Sequence, residues 1–351
     1  MKALTLEAYN KFTYGDAPAP TLNPGDVMIQ VKACGICGSD IHGMDGSSGR
    51  RIPPIIMGHE AAGVITQVTD DVSGWNNGDR VTFDSTIYCG ECEFCRVGNV
   101  NLCNDRRVMG VSPGNYRQHG AFAELVAVPS RILHRLPGKL SYAEAAFVEP
   151  VSIALHAVNR IPLKGDESAV VVGAGMIGLL VIQALRAKGL QHIIAVDIDQ
   201  EKLHFAKKIG ASNAVISNEN SVDTIHGLTG DGADLAMEVV GINDTLNLAI
   251  ASLRKGGSLG LIGNLAPETQ FPLQSVVTRE LTLYGSCSSS GEYPEALQCI
   301  ADGRINVAPL ISEIAPLAEG AKWFERLYSG KEKLLKVILE PEGHQSKASR
   351  P

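Results

Sequence analysis

The sequence predicts an α/β protein of two domains, one mostly β and one built on a doubly wound parallel sheet. Three observations carry that expectation. From Met1 to about Val151 the chain reads as short β-branched strands between Gly, Pro and Asp turns, as in "VMIQVKACG", "GHEAAGVITQV", "GDRVTF" and "GAFAELVAV". After that the texture changes, and apolar strands alternate with helices. The change is followed by a Gly-rich turn, "GAGMIG", between a strand and a helix. A chain of 351 residues is long enough for two such domains.

In the second region "SAVVVGAGMIGLLVIQALRAKG" is a strand, a turn and a helix, and "HIIAVDID" is the next strand. "QEKLHFAKKIGA" is a helix with apolar Leu203, Phe205, Ala206 and Ile209, closed by Gly210. "ADLAMEVVG" and "GGSLGLIG" are further strands, with "TLNLAIASLRKG" a helix between them. Beyond about Cys287, "YPEALQCIADG" and the strand-like "KLLKVILEP" can close either domain. The polar tail "EGHQSKASRP" lacks periodicity and is expected to fray.

Composition excludes several classes of function. Hydrophobic residues make up 44% and charged residues 20%, and formal net charge is −7, with no basic domain to grip a phosphate backbone. No apolar run approaches the roughly 20 residues that span a bilayer. The start "MKALTLEAYNKF" has no signal core or cleavage site, so the expected location is the cytoplasm. Disulfides rarely persist there, which argues against a disulfide framework for the chain's eight cysteines.

The Gly-rich turn points to a dinucleotide. Gly173, Gly175 and Gly178 form G-x-G-x-x-G after a strand and at the start of a helix. The first allows the tight turn, the second admits the pyrophosphate, and the third lets helix and strand pack closely. The pyrophosphate then meets the helix N-terminus, whose free N–H groups favour an anion. Asp197 follows Gly178 by nineteen residues, at the end of the next strand. An acid there accepts from ribose hydroxyls and repels a 2′-phosphate, and no Arg follows it, so NAD is favoured over NADP. Lys202 is a second candidate ribose contact, or a solvated helix lysine.

Four cysteines fall within "CGECEFCRVGNVNLC". The C-x2-C-x2-C-x7-C spacing of Cys89, Cys92, Cys95 and Cys103 suits a tetrahedral four-thiolate zinc, which staples a loop and leaves no open position. An iron–sulfur cluster is the competing reading. Catalysis has to lie elsewhere. Cys37, His59 and Glu60, in "CGICGSDIH" and "GHEAAG", form the mixed donor set of a catalytic zinc. No spacing rule joins them. A lone Cys also reads as a buried small hydrophobe, a lone His as structural, and Glu149 in "FVEP" as a helix-start carboxylate.

Nearly end to end, the chain resembles the zinc-dependent medium-chain dehydrogenase/reductase family, and most closely its polyol branch, the sorbitol dehydrogenases and their relatives. The matching stretches are "CGICGSDIH", "GHEAAGVI", "GDRV", the four-cysteine lobe, "GAFAE", "EPVSIALHA", "GAGMIG" and the Asp197 strand. The resemblance implies a GroES-like catalytic domain over 1–151 and 288–341, with a structural zinc lobe at 89–103. It places a Rossmann NAD-binding domain over 152–287 and a flexible tail over 342–351. Two zinc ions per chain, NAD and a homodimer or homotetramer are implied. Carried over by residue, Cys37, His59, Glu60 and Glu149 are catalytic-zinc positions, and Cys89, Cys92, Cys95 and Cys103 the structural-zinc positions. Ser39 is the hydroxyl that takes the substrate proton, and His42 the relay residue nearer solvent. Ile177, Asp197, Lys202, Ile262, Gly263 and Asn264 are cofactor contacts. Cys34 matches no ligand, and Cys287 and Cys299 read as core thiols.

The implied reaction is NAD-linked oxidation of a secondary alcohol of a polyol or sugar alcohol to a ketone. The substrate positions depart from the family pattern. Gly43 stands where sorbitol dehydrogenases carry a Tyr after the relay His, and Ser288 and Ser289 where they carry Arg and Tyr. "RELTLYGS" resembles polyol-phosphate dehydrogenases such as galactitol-1-phosphate dehydrogenase. Arg50 and Arg51 are therefore candidates for a phosphate or carboxylate of the substrate, or a solvent-facing basic pair. Sugar-acid and threonine dehydrogenase-like activities, and a non-enzymatic NAD-binding protein, are the alternative readings.

Overall fold

The computed structural model describes residues 1–341; the expected tail at 342–351 lies outside the described residues. The chain divides into two compact units, Met1–Glu149 with the stretch from Val307 onward, and Pro150–Asn306. The return to the first unit therefore falls at 306/307 rather than at the expected 287/288. The reason is local pairing. Glu292 Oε1 accepts from His156 Nδ1 at 2.8 Å, Lys188 Nζ donates to Glu295 Oε1 at 2.7 Å, and Asn306 N donates to Gln183 Oε1 at 2.7 Å. Tyr293 is fully buried at the start of the helix Tyr293–Ala301. These contacts tie the segment to the second unit.

The first unit is mostly β. Its larger sheet runs in the order Leu133–Arg135, Arg80–Phe83, Glu60–Val68, Asp26–Gly35, Lys336–Glu340, Ile311–Pro316, with Leu125–Pro129 also paired to Asp26–Gly35. The central strand, DVMIQVKACG, is buried along almost all its length because sheet and core cover both faces. A smaller sheet holds Lys11–Asp16, Lys2–Ala8 and Ile55–Ile56. The core between them includes Leu4, Leu6, Ile29, Val31, Ile65, Phe83, Phe122 and Phe324. The strand-like "KLLKVILEP" thus belongs here, where Ile338 pairs with Gly35.

One register decides where the chemistry sits. Asp26–Gly35 runs antiparallel to Glu60–Val68, with Gly35 opposite Glu60 and Val31 opposite Gly63. A Cβ at Gly63 would come within 2.1 Å of Gln30 O, and one at Gly35 within 2.3 Å of Glu60 Oε2. Both glycines are places where the backbones or a carboxylate need the space. Cys37, two residues past the end of one strand, is thereby brought beside His59 and Glu60 at the start of the other.

The second unit is a six-stranded parallel sheet in the order Asn213–Ile216, His192–Asp197, Ser168–Val172, Ala233–Glu238, Leu253–Leu261, Thr282–Gly285. In chain order this is 3-2-1-4-5-6, the doubly wound arrangement with its switch point between the first and fourth strands. The strands are continuous runs of Val, Ile, Leu and Ala, as a sheet buried on both faces requires. The helix expected over "TLNLAIASLRKG" ends at Ser252, and Leu253 already starts the next strand. Leu253 is buried and pairs with Ala233, so the segment joins the sheet rather than continuing the helix.

The turn after Ser168–Val172 is tight. Gly173 has φ +104°, a region that side chains rarely adopt. A Cβ at Gly178 would lie 1.8 Å from Gly173 O. Gly178→Ala is expected to displace the turn and lower the melting temperature, with at least a tenfold loss of NAD affinity by fluorescence titration. Unchanged stability and affinity would show that the close approach is not needed.

Candidate active site and metal centres

The helix Gly38–Met44 starts at Cys37, which is its N-cap. The Cys37 thiol accepts from Ser39 N at 3.4 Å and Ser39 Oγ at 3.3 Å, and Asp40 Oδ2 accepts from Cys37 N at 3.3 Å. This reciprocal pattern is a capping box with a cysteine in the Ser/Thr place. It fixes the thiol at the helix N-terminus and exposes Ser39 and His42 on the same helix.

Cys37, His59 and Glu60 offer donor atoms that all lie within 4.8 Å of one another. His59 and Glu60 are buried and Cys37 is half-buried. Thiolate, imidazole and carboxylate at that separation suit zinc with an open position. Asp40, fully buried, stands 3.5 Å from His59 Nδ1, a placement that would leave Nε2 for a metal. Burial pushes the Asp40 carboxyl up, but His59 and Arg51 outweigh it and hold it well below its ordinary value.

Glu60 is held from behind. Lys336 Nζ donates to Glu60 Oε1 at 2.8 Å, to Oε2 at 2.6 Å and to Ile36 O at 3.0 Å. Burial pulls the Lys336 ammonium down, and the Glu60 charge more than reverses it. Glu149, in the first turn of the helix Val148–Asn159, stands outside the 4.8 Å set and accepts from Ser85 Oγ at 3.1 Å. Burial, reinforced by the Glu60 charge, raises its carboxyl to about 7. Two carboxylates of different character therefore face the same donors.

Cys89, Cys92, Cys95 and Cys103 converge on one point, their sulfurs all within 4.8 Å. Cys89 N donates to Cys103 Sγ at 3.3 Å, and Glu91 N and Cys92 N to Cys89 Sγ at 3.4 Å. Backbone N–H groups aimed at sulfur stabilise thiolates, which suits a four-thiolate metal and closes its shell.

In the second unit Asp197 Oδ2 accepts from Ala174 N at 2.7 Å and Oδ1 from Asp199 N at 3.0 Å. The acid is thus fixed beside the Gly173–Gly178 turn, and a nucleotide fits the glycine cradle there. Ile177 is half-buried and Lys202 exposed on the helix Gln200–Lys208. Ile262, Gly263 and Asn264 follow the strand Leu253–Leu261. A Cβ at Gly263 would come within 2.2 Å of Gly241 N. Glu238 holds both loops: its Oε1 accepts from Val240 N and Gly241 N at 2.9 and 2.8 Å, and its carbonyl from Ile262 N and Gly263 N at 2.9 and 3.1 Å.

One expectation is corrected. Arg50 is exposed, but Arg51 is 3% exposed, and its Nη2 donates to Asp40 Oδ1 at 2.9 Å. The two arginines are therefore not a solvent-facing basic pair: only Arg50 is exposed, and the charge of Arg51 is matched by Asp40 inside the fold. Asp40, Lys336 and Glu238 contact the candidate site residues or the loops that carry them, and none of the three is marked by a spacing rule in the sequence. Lys336 carried a signal, a lone lysine in the apolar strand "LLKVIL", where a buried ammonium needs a partner.

Residues 23–138 match the alcohol dehydrogenase GroES-like domain, and residues 177–302 match the zinc-binding dehydrogenase domain. Sorbitol dehydrogenase of Bacillus subtilis is 33% identical, over 97% of each chain. The chain belongs to the zinc-dependent medium-chain dehydrogenase/reductase family. It falls in the polyol branch and is an NAD-dependent zinc oxidoreductase. Among solved structures, the alcohol dehydrogenase TADH from Thermus sp. ATN1 has a TM-score of 0.90 at 32% identity, covering 97% of this chain and 99% of that one. Galactitol-1-phosphate dehydrogenase from Escherichia coli has a TM-score of 0.90 at 26% identity, covering 97% and 100%. This dehydrogenase has no described helix long and apolar enough to cross a membrane.

Two outcomes test the centres. Lys336→Met leaves the Glu60 charge buried and unpaired, a loss of about 3–5 kcal/mol for a pair of this kind. Thermal melts are expected to show Lys336→Met below the double variant Lys336→Met/Glu60→Gln, and equal melting points would contradict the buried pair. Cys95→Ser is expected to lower the zinc content by one per chain, by metal analysis, and to lower the melting temperature. Full zinc content would contradict the four-thiolate site.

Proposed function

We propose that this enzyme oxidises a secondary hydroxyl of an uncharged polyol or sugar alcohol to a ketone, with NAD as acceptor and two zinc ions per chain. The observation that carries the reading is the Ser39 hydroxyl, 3.3 Å from the Cys37 thiol at the edge of the Cys37–His59–Glu60 donor set. A proton acceptor so close to a metal donor suits removal of a proton from a hydroxyl that the metal polarises.

Zinc at Cys37, His59 and a carboxylate supplies Lewis acidity to the hydroxyl oxygen, and NAD supplies the hydride acceptor. Ser39 Oγ takes the substrate proton while passing its own hydrogen outward, and His42, one helical turn on and exposed, delivers it to solvent. Glu60 and Glu149 are the two carboxylates offered to the metal. Glu60 is restrained by Lys336, whereas burial raises the Glu149 carboxyl to about 7, so they serve it unequally. Cys89, Cys92, Cys95 and Cys103 hold the second zinc, which shapes the lobe without touching substrate.

Asp197 is the ribose contact that favours NAD, with Gly173, Gly175, Ile177 and Gly178 at the pyrophosphate and Lys202, Ile262, Gly263 and Asn264 as further contacts. An uncharged substrate is favoured because Arg51, the buried arginine near Ser39, is already paired with Asp40. We also propose a homo-oligomer working in the cytoplasm. The strand Thr282–Gly285 is a sheet edge, and Leu265, Phe271, Leu273 and Val277 near it in sequence are 44–64% exposed, which suits pairing with a second copy.

The test follows NADH formation by zinc-loaded enzyme with free polyols, polyol phosphates, sugar acids and L-threonine, each with NAD and with NADP. Turnover of free polyols with NAD is expected. Turnover confined to phosphorylated or acidic substrates would overturn the substrate reading.

A further inference from the structure

Position 43 is a glycine on the helix that carries Ser39 and His42, and the side chain packed over it is Arg51. A Cβ at Gly43 would stand 2.9 Å from Arg51 Cδ, 3.0 Å from Cγ and 3.2 Å from Nε. A side chain there would require the arginine to shift. With glycine, Arg51 lies against the helix, and its Nη2 reaches both Asp40 Oδ1 at 2.9 Å and Ser39 Oγ at 3.1 Å. Its Nε is buried with no hydrogen-bond partner. Leaving a buried N–H unpaired is unfavourable, so packing alone does not explain why the guanidinium is seated here.

Both Nη2 contacts lead to the metal donors. Asp40 takes Cys37 N on one oxygen and faces His59 Nδ1 with the other, the oxygen that Arg51 grips. Arg51 therefore fixes the carboxylate that sets the geometry of two donors at once. At Ser39 it occupies one lone pair of the hydroxyl. One lone pair remains to accept the substrate proton, and the hydrogen now given to the Cys37 thiol at 3.3 Å is the one the hydroxyl turns outward to pass on. The hydroxyl ends neutral, and the nearby cation favours loss of the substrate proton. A planar guanidinium can bridge two acceptors in this way, whereas an ammonium acts as a point charge.

We propose that Arg51 is a positioning residue for the alcohol-oxidising centre, orienting the Ser39 hydroxyl and clamping Asp40 behind Cys37 and His59, and that Gly43 is the residue that admits it. This rests on the proposed function and deepens it. The arginine organises the proton relay and takes no substrate anion.

The test compares wild type with Arg51→Leu, Arg51→Lys and Gly43→Ala. Three readouts are zinc release to the chelator dipicolinate, the pH profile of kcat with a free polyol, and the melting temperature. Arg51→Leu is expected to release one zinc per chain on the order of 10–100-fold faster, the other zinc being unaffected. Its kcat should fall by a similar factor, with the rising limb of the pH profile moved to higher pH and KM for NAD unchanged. Arg51→Lys should recover zinc retention, since it keeps a cation at Asp40, but not the pH profile. Gly43→Ala should reproduce the Arg51→Leu changes in weaker form, and should add nothing in the Arg51→Leu background. If Arg51→Leu fails to fold, Gly43→Ala carries the test. Wild-type zinc release and pH profile in a folded Arg51→Leu, or in Gly43→Ala, would overturn the inference. A wild-type chain with one zinc and no alcohol turnover would overturn the proposed function instead, which separates the two failures.

Discussion

The site depends on one strand register. Gly35 opposite Glu60 sets the end of one buried strand against the start of another, so that Cys37 and His59, from separate segments, share a point in space. A shift by one residue would carry the Glu60 side chain to the other face of the sheet. The register is pinned by close approaches that only glycine allows, at Gly63 against the Gln30 carbonyl and at Gly35 against the Glu60 carboxylate. The terminal strand adds a third constraint, because Ile338 pairs with Gly35 and so brings Lys336 to Glu60.

Around that point charges are arranged in buried pairs. Asp40 is matched by Arg51, and Glu60 by Lys336, each with side chains less than 5% exposed. Such pairs contribute little net stability, since desolvation offsets attraction, but removing either partner is costly. Their value here is directional. Asp40 stands behind His59, Lys336 restrains Glu60, and Glu149 is a carboxyl that burial raises to about 7. The donors are therefore presented in a set geometry before any substrate arrives, which is what a Lewis-acid centre needs to act without reorganisation.

Local patterns were readable in the sequence, and long-range ones were not. The Gly173–Gly178 turn, Asp197 and the four-cysteine lobe are short motifs whose spacing follows from the geometry of one turn or one metal shell. The doubly wound sheet was readable from alternating strands and helices. Cys37, His59 and Glu60 obey no spacing rule, because a strand register joins them; their donor types suggest a catalytic zinc, and the family resemblance assigns them to it. Asp40 was hidden inside a helix start where an acid has an ordinary capping role. Lys336 lay far along the chain on the returning strand. Nothing local separates buried Arg51 from its exposed neighbour Arg50, because the partner that buries it, Asp40, lies eleven residues away. The domain return was drawn too early because nothing in "YPEALQCIADG" shows that Glu292 meets His156.

The central claim is that Cys37 and His59 form a metal centre at which alcohols are oxidised, separate from the nucleotide site. The measurement that tests it most directly is zinc content, NAD affinity and alcohol turnover of Cys37→Ala beside wild type. The account predicts two zinc ions per chain falling to one, turnover abolished, and NAD affinity unchanged within about twofold, because the Gly173–Gly178 turn and Asp197 lie in the other unit. A Cys37→Ala protein that kept two zinc ions, or turned over alcohol near the wild-type rate, would contradict it.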